Sequence, residues 1–202
     1  NLGYCGMGCP TNAKQSMLVT TIPATLEKGG ELLYLARAEK LSIKDGKVTG
    51  LHCVAMDDRC VAPTGRTITV KARHYVLAGG GINSPALLLR SEAPDPHERL
   101  GKRTFLHLVN MSAGLFDEVI NPFYGAPQSI YSDHFQWLDG TTGKMAYKLE
   151  VPPLHPALAT TLLGGFGKEN AQHMEHLPHT HAMLALLRDG FHPDSPGGSV
   201  EL

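Results

Sequence analysis

The stretch YVLAGGGINSPALLLRS, Tyr75 to Ser91, constrains this chain more than any other. Val76, Leu77 and Ala78 form a short apolar run that reads as a buried strand, and Gly79, Gly80 and Gly81 allow backbone angles closed to residues with a side chain. Ser84 and Pro85 suit the start of a helix that continues through Ala86 to Leu89. A strand that turns on glycines into a helix leaves backbone amides and the positive end of the helix dipole facing one spot, a seat for a phosphate or a cofactor edge. The spacing is not the G-x-G-x-x-G of a dinucleotide fingerprint, so a tight structural turn stays open beside cofactor contact.

With 202 residues, 42% hydrophobic and 18% charged, the chain is globular and can bury one good core or two modest ones. Its 18 Lys and Arg against 19 Asp and Glu give a formal net charge of −1, which supplies no basic face for nucleic acid or an anionic membrane. No apolar run approaches the ~20 residues that span a bilayer. The expectation is a soluble protein, cytoplasmic or periplasmic, acting on a small-molecule partner. Cys5 and Cys9, like Cys53 and Cys60, lack the two-residue gap of zinc knuckles and redox motifs. Buried thiols and a loop thiol at Cys60 are expected, with a Cys5–Cys9 disulfide left open.

Residues 12–26 read as a helix around Pro23 or as two short pieces, closed by Gly29 and Gly30. ELLYLARAEKLSIK and KVTGLHCVAM are strands joined by a tight turn at Asp45–Gly46. A further turn is expected at Pro63–Thr64–Gly65, followed by a strand ending at Ala72. The Pro- and charge-rich APDPHERLGKR marks a boundary between domains 1–95 and 96–202. Beyond it, LHLVNMSAGLF and GKMAYKLEVPP read as strands, and PHTHAMLALLRDGF as a short amphipathic helix with Ala182, Leu186 and Leu187 on one side.

HMEHLPHTH sets His173, His176, His179 and His181 close together, and imidazoles so spaced can ligate zinc or copper. That reading, a non-catalytic or metal-binding module, is the alternative. Pro178 interrupts any helix that would align them and no H-E-x-x-H is present, so a solvated loop is preferred and no metal is assigned. A hydrolase is disfavoured because no G-x-S-x-G elbow occurs.

Three blocks in order carry a family resemblance: YCGMGCPTNAKQSM, the strand of LARAEKL, and VLAGGGINSPALLLRS followed by RLGKRTFLH. Together they resemble the first part of the glucose-methanol-choline (GMC) FAD-dependent oxidoreductases, over about the first 110 residues. YGAPQSIYSDHF is similar to the substrate-domain portion of bacterial alcohol-dehydrogenase-like members.

The resemblance implies an α/β (α+β) fold: part of a FAD/NAD(P)-binding Rossmann-like domain, residues 1–95, followed by part of an antiparallel-sheet substrate domain, residues 96–202. It implies oxidation of an alcohol by hydride transfer to flavin, with oxygen, quinone and cytochrome all open as acceptors. Ala38 matches the small or β-branched residue whose backbone lies beside the flavin's adenine, and Ala78, Gly79 and Gly80 match the turn against the ADP half of FAD. The three glycines depart from the family's Ala-Gly-Ala. His107 matches the family's His after Leu-Gly, with Leu108 where a Pro often follows. The N-terminal G-x-G-x-x-G strand and the C-terminal catalytic His segment have no counterpart here, so no catalytic residue is assigned. An internal fragment is expected, one that neither holds FAD tightly nor turns over and that exposes apolar surface near Val76, Leu77 and Leu87–Leu89.

Overall fold

The computed structural model describes residues 4–126, 128–138, 146–190 and 192–202, apart from the side chain of Cys5. It divides into two compact units, Thr21–Phe105 with Asp194–Leu202, and the chain up to Thr20 with Leu106–Pro193.

The first unit opens with helix α1, Thr21–Glu27, whose Pro23 sits in its first turn, where a missing amide costs nothing. Strands β1, Ala36–Lys44, β2, Lys47–Met56, and β3, Pro63–Val70, form an antiparallel sheet in the order β1-β2-β3. The Asp45–Gly46 turn is where the sequence places it, with φ of +49° and +72°. Both signs suit the right-handed twist of a hairpin, and Asp tolerates the left-handed region better than most residues. Helix α2, Gly80–Arg90, packs against β1 and buries Leu87. Leu41, Cys53 and Met56 complete the buried apolar set of this unit.

Several expectations for this unit need correction. Tyr75–Ala78 joins no ladder: it runs between β3 and α2 without strand pairing, and Val76 is 90% exposed. An apolar run becomes a strand only where neighbours take up its amides and carbonyls, and the antiparallel sheet ends at β3. Of the apolar surface expected here, Val76 and Leu77 are exposed while Leu87 is buried. Helix α2 begins at Gly80 rather than at Ser84, which leaves Pro85 inside it. Pro63–Thr64–Gly65 is the start of β3 rather than a turn, and β3 ends at Val70, short of Ala72. The reversal comes earlier, at Asp57, whose Oδ1 accepts the amides of Val61 at 2.7 Å and Ala62 at 3.2 Å. An Asx-type turn of this kind draws on a side chain that hydrophobic pattern does not register.

The second unit follows a short strand, β4, Lys102–Thr104, which belongs to the first. Strands β5, Val109–Leu115, β6, Tyr131–Ser132, and β7, Tyr147–Glu150, precede helices α3, Pro156–Leu162, and α4, Lys168–Glu175. Strand β8, Thr180–Leu187, completes a four-stranded antiparallel sheet in the order β5-β8-β7-β6. Of the helix expected over Pro178–Phe191, Thr180–Leu187 is instead strand, paired on both sides. A short apolar run has no period that separates buried strand from buried helix, and two waiting edges decide it. Leu154, Ala159, Leu177 and Ala182 form the core of this unit, with Phe123, Leu163 and Met174 packed against it. Helix α3 starts on Pro156, its first amide need met by His155 Nδ1, which accepts from Ala157 at 3.3 Å.

Strand β9, Gly198–Ser199, returns to the first unit and pairs with β4. Together the elements are helices and antiparallel sheets of an α/β (α+β) protein.

A candidate cofactor site

Strand β1 and the start of α2 share a cleft of about 520 Å³, open to solvent and lined by Arg37, Ala38, Glu39, Leu77, Gly79, Asn83, Leu87 and Arg90. Its size falls within the range of small-molecule sites. Ala38 and Gly79, expected from sequence to share a ligand, come together here. Ala78 and Gly80 flank Gly79 in the chain but do not line the cleft.

The geometry of β1 depends on a bulge. Ala38 pairs with Cys53 and Lys40 with His52, so Glu39 has no partner on β2. The extra residue bends the edge strand at the point where the cleft forms. Arg37 Nε donates to Glu39 Oε1 at 2.5 Å, an ion pair at the cleft wall. Beneath it, burial pushes the Cys53 thiol upward, and the charge of Glu39 adds to the effect.

Helix α2 is fastened to β1 through its C-terminal turn. Ser91 Oγ accepts the Leu41 amide at 2.8 Å and donates to the Leu87 carbonyl at 2.6 Å. Arg90 reaches the same edge, its Nε donating to the Glu39 carbonyl at 3.2 Å and its Nη2 to the Ala38 carbonyl at 3.4 Å. Lys40 Nζ meets Glu92 Oε1 at 3.0 Å.

At the other end of α2, Gly80 has φ of +79°, a conformation that favours glycine. The Gly79 amide donates to Ser84 Oγ at 3.0 Å, so that amide is satisfied within the turn rather than presented outward. A Cβ added at Gly80 or Gly81 would meet no atom within 4 Å, so space stands open beside the turn. Small residues on both walls, Ala38 and Gly79, and the flanking charges fit the edge of a dinucleotide.

Over residues 1–109 the chain matches the GMC oxidoreductase family. It belongs to that family. The matched N-terminal part of the GMC oxidoreductases is their FAD-binding domain. The chain is 29% identical over 185 residues to an uncharacterized GMC-type oxidoreductase of Mycobacterium tuberculosis, covering 92% of this chain and 27% of that protein. It is 29% identical over 147 residues to 2-methyl-1,2-propanediol dehydrogenase of Mycolicibacterium austroafricanum, covering 67% of this chain and 25% of that protein. Against 6'''-hydroxyparomomycin C oxidase of Streptomyces lividus it is 35% identical over 103 residues, covering 50% and 17%. The chain thus spans about a quarter of the length of the curated relatives it matches.

Other residues singled out in the sequence lie in the second unit of this GMC chain. His107 is exposed and lines a smaller cleft, about 330 Å³, with Gln136, Lys148, Glu150 and Leu186–Asp189. There Lys148 Nζ is 2.8 Å from Glu150 Oε1 and stacks over Tyr131 at 4.0 Å, and the hydrogen bond to Glu150 holds the ammonium above its usual range. The four clustered histidines diverge: His173 is on α4, His176 follows it, His179 is in the 3-10 turn Leu177–His179, and His181 is on β8. His179 Nδ1 donates to the Glu118 carbonyl at 3.1 Å, and His181 meets the edge of Phe116. Among the described residues no three His, Cys, Asp or Glu side chains gather to hold a metal ion. Cys9 is a free thiol, while the side chain of Cys5, and with it the expected choice over a Cys5–Cys9 bridge, lies outside the described residues. Among the described residues no helix is long and apolar enough to cross a membrane.

The lining residues that sequence reasoning did not assign to the site are Arg37, Glu39, Leu77, Asn83, Leu87 and Arg90. Glu39 enters through a bulge and Arg90 through a reach across to another element, and neither event leaves a periodic trace.

Proposed function

We propose that this chain is part of a FAD-dependent oxidoreductase that oxidises an alcohol, with residues 1–95 belonging to its FAD-binding domain and 96–202 to its substrate domain. The observation that carries the reading is the meeting of Ala38 and Gly79 on one cleft in a chain of the GMC family. Ala38, Ala78, Gly79 and Gly80 would hold FAD by its ADP half. Bound there, FAD supplies the acceptor for a hydride from the carbinol carbon.

The chain's own residues provide the seat. Ala38 offers backbone and little bulk, so a planar base can lie against β1 without a side chain in the way. The Gly79–Gly81 turn lets the backbone approach the ligand closely. Leu77 and Leu87 give an apolar floor, and Arg37, Glu39 and Arg90 give a charged rim. Two relatives carry names of a diol dehydrogenase and a hydroxy-compound oxidase, which supports a CH–OH donor.

Equilibrium dialysis of FAD against the full chain tests the seat. Saturable binding is expected, displaced by ADP and abolished by Ala38→Arg, whose side chain would occupy the cleft. Binding unchanged in Ala38→Arg, or displaced by FMN and not by ADP, would remove this cleft as the adenine end.

A further inference from the structure

We infer that Arg90 is a positioning residue for the cofactor seat, holding the Ala38–Glu39 backbone in the shape the ligand meets; this rests on the reading of the cleft as a FAD site. The bulge at Glu39 interrupts pairing with β2 just where the cleft forms, so this part of β1 lacks the restraint a regular ladder gives. β1 is also an edge strand of its sheet, with no further strand on its outer side among the described residues. Arg90 supplies the missing restraint by donating to both carbonyls across the bulge, at 3.2 Å to Glu39 and 3.4 Å to Ala38. A planar guanidinium suits this task because its donors form a fixed fork, which a flexible ammonium does not reproduce.

A purely structural clasp is the competing role, and the molecule separates the two. The attachment of α2 to β1 is already secured by the buried Leu87 and by Ser91, which is 5% exposed and bonded to both elements. Among the clasp groups that bond to β1, Arg90 lines the cleft, whereas Ser91 and Glu92 do not. Removing Arg90 therefore frees the seat while leaving the helix attached, and removing the Ser91 hydroxyl weakens the attachment while leaving the Arg90 bonds to the seat in place.

The test titrates FAD and ADP into the full chain by equilibrium dialysis and measures thermal melting of the same samples. Arg90→Ala is expected to raise both dissociation constants roughly tenfold, the scale of losing hydrogen bonds from a charged donor, with little change in melting temperature. Arg90→Lys should recover only part of the loss. Ser91→Ala should lower the melting temperature and leave both dissociation constants near wild type. Wild-type affinity in Arg90→Ala, full recovery in Arg90→Lys, or an affinity loss in Ser91→Ala equal to that of Arg90→Ala would overturn the positioning role. Failure of the wild-type chain to bind either FAD or ADP would instead overturn the reading of the cleft, and the role of Arg90 with it.

Discussion

The Ser91 hydroxyl joins two elements at once, accepting the Leu41 amide of β1 while donating to the Leu87 carbonyl one turn back in its own helix. Both Ser91 and Leu41 are buried, so water does not replace either bond. Ser91→Ala leaves the Leu41 amide without its partner, while the Leu87 carbonyl keeps the backbone amide of residue 91 at 3.0 Å; an orphaned buried amide costs about 1–3 kcal/mol. Differential scanning calorimetry should show the loss as a fall of several degrees in melting temperature. An unchanged melting temperature would mean that the bonds contribute nothing net.

Asp95, in the proline-rich connection after α2, accepts the Leu100 amide at 2.7 Å and the Arg99 amide at 3.0 Å. These bonds favour the carboxylate and hold its pKa below the usual value. A group whose folded pKa is depressed stabilises fully above its unfolded value, near about 3.9, and that stabilisation vanishes as pH falls through the folded value. Asp95→Asn should melt below wild type at neutral pH, with the two curves converging in acid. A gap that stays constant down to strong acid would rule out this linkage.

The described thiols should separate by reactivity. The Thr11 hydroxyl, 3.2 Å from Cys9 Sγ, and the Ala13 amide draw the Cys9 pKa down, whereas burial raises that of Cys53. Cys60 is exposed. Iodoacetamide at about pH 7.5 should modify Cys9 and Cys60 well before Cys53, because the accessible thiolate is the nucleophile. Peptide mapping that finds Cys53 labelled as early as Cys9 would contradict the burial of β2.

Val76 and Leu77 stand exposed on the ladderless segment before α2, 90% and 40% accessible. The full chain should bind a hydrophobic dye there, and Val76→Ser with Leu77→Ser should reduce the bound fluorescence without altering the circular dichroism spectrum. Equal dye binding by the double variant would show that other surface is responsible.

What the sequence disclosed and what it withheld follow from how local each feature is. The Asp45–Gly46 hairpin was legible because the turn itself demands left-handed angles, and β5 carries its own pattern. The family and the association of Ala38 with the glycine turn were legible through motif order. Strand β8 was not, since Ala182 to Leu187 suits either helix or strand until β5 and β7 stand on both sides. Tyr75–Ala78 failed in the opposite direction: its composition is that of a strand, but pairing depends on partners elsewhere. Arg90 and the bulge at Glu39 were illegible because register is settled between strands, not within one.

The unpaired residue in β1 also sets the parity of the strand. Upstream of it, even-numbered Ala36 and Ala38 stand opposite Ala55 and Cys53; downstream, odd-numbered Leu41 stands opposite Leu51, on the same side. A gene variant that deletes the Glu39 codon would remove the unpaired residue and leave the pairings on either side in place, Ala38 opposite Cys53 and Lys40 opposite His52. The strand would then pair regularly through this stretch, and the bend that the extra residue puts into the cleft edge would be lost. Length in this short stretch is therefore under a tighter rule than residue type: substitutions at Glu39 alter a rim, whereas a single deletion straightens the strand.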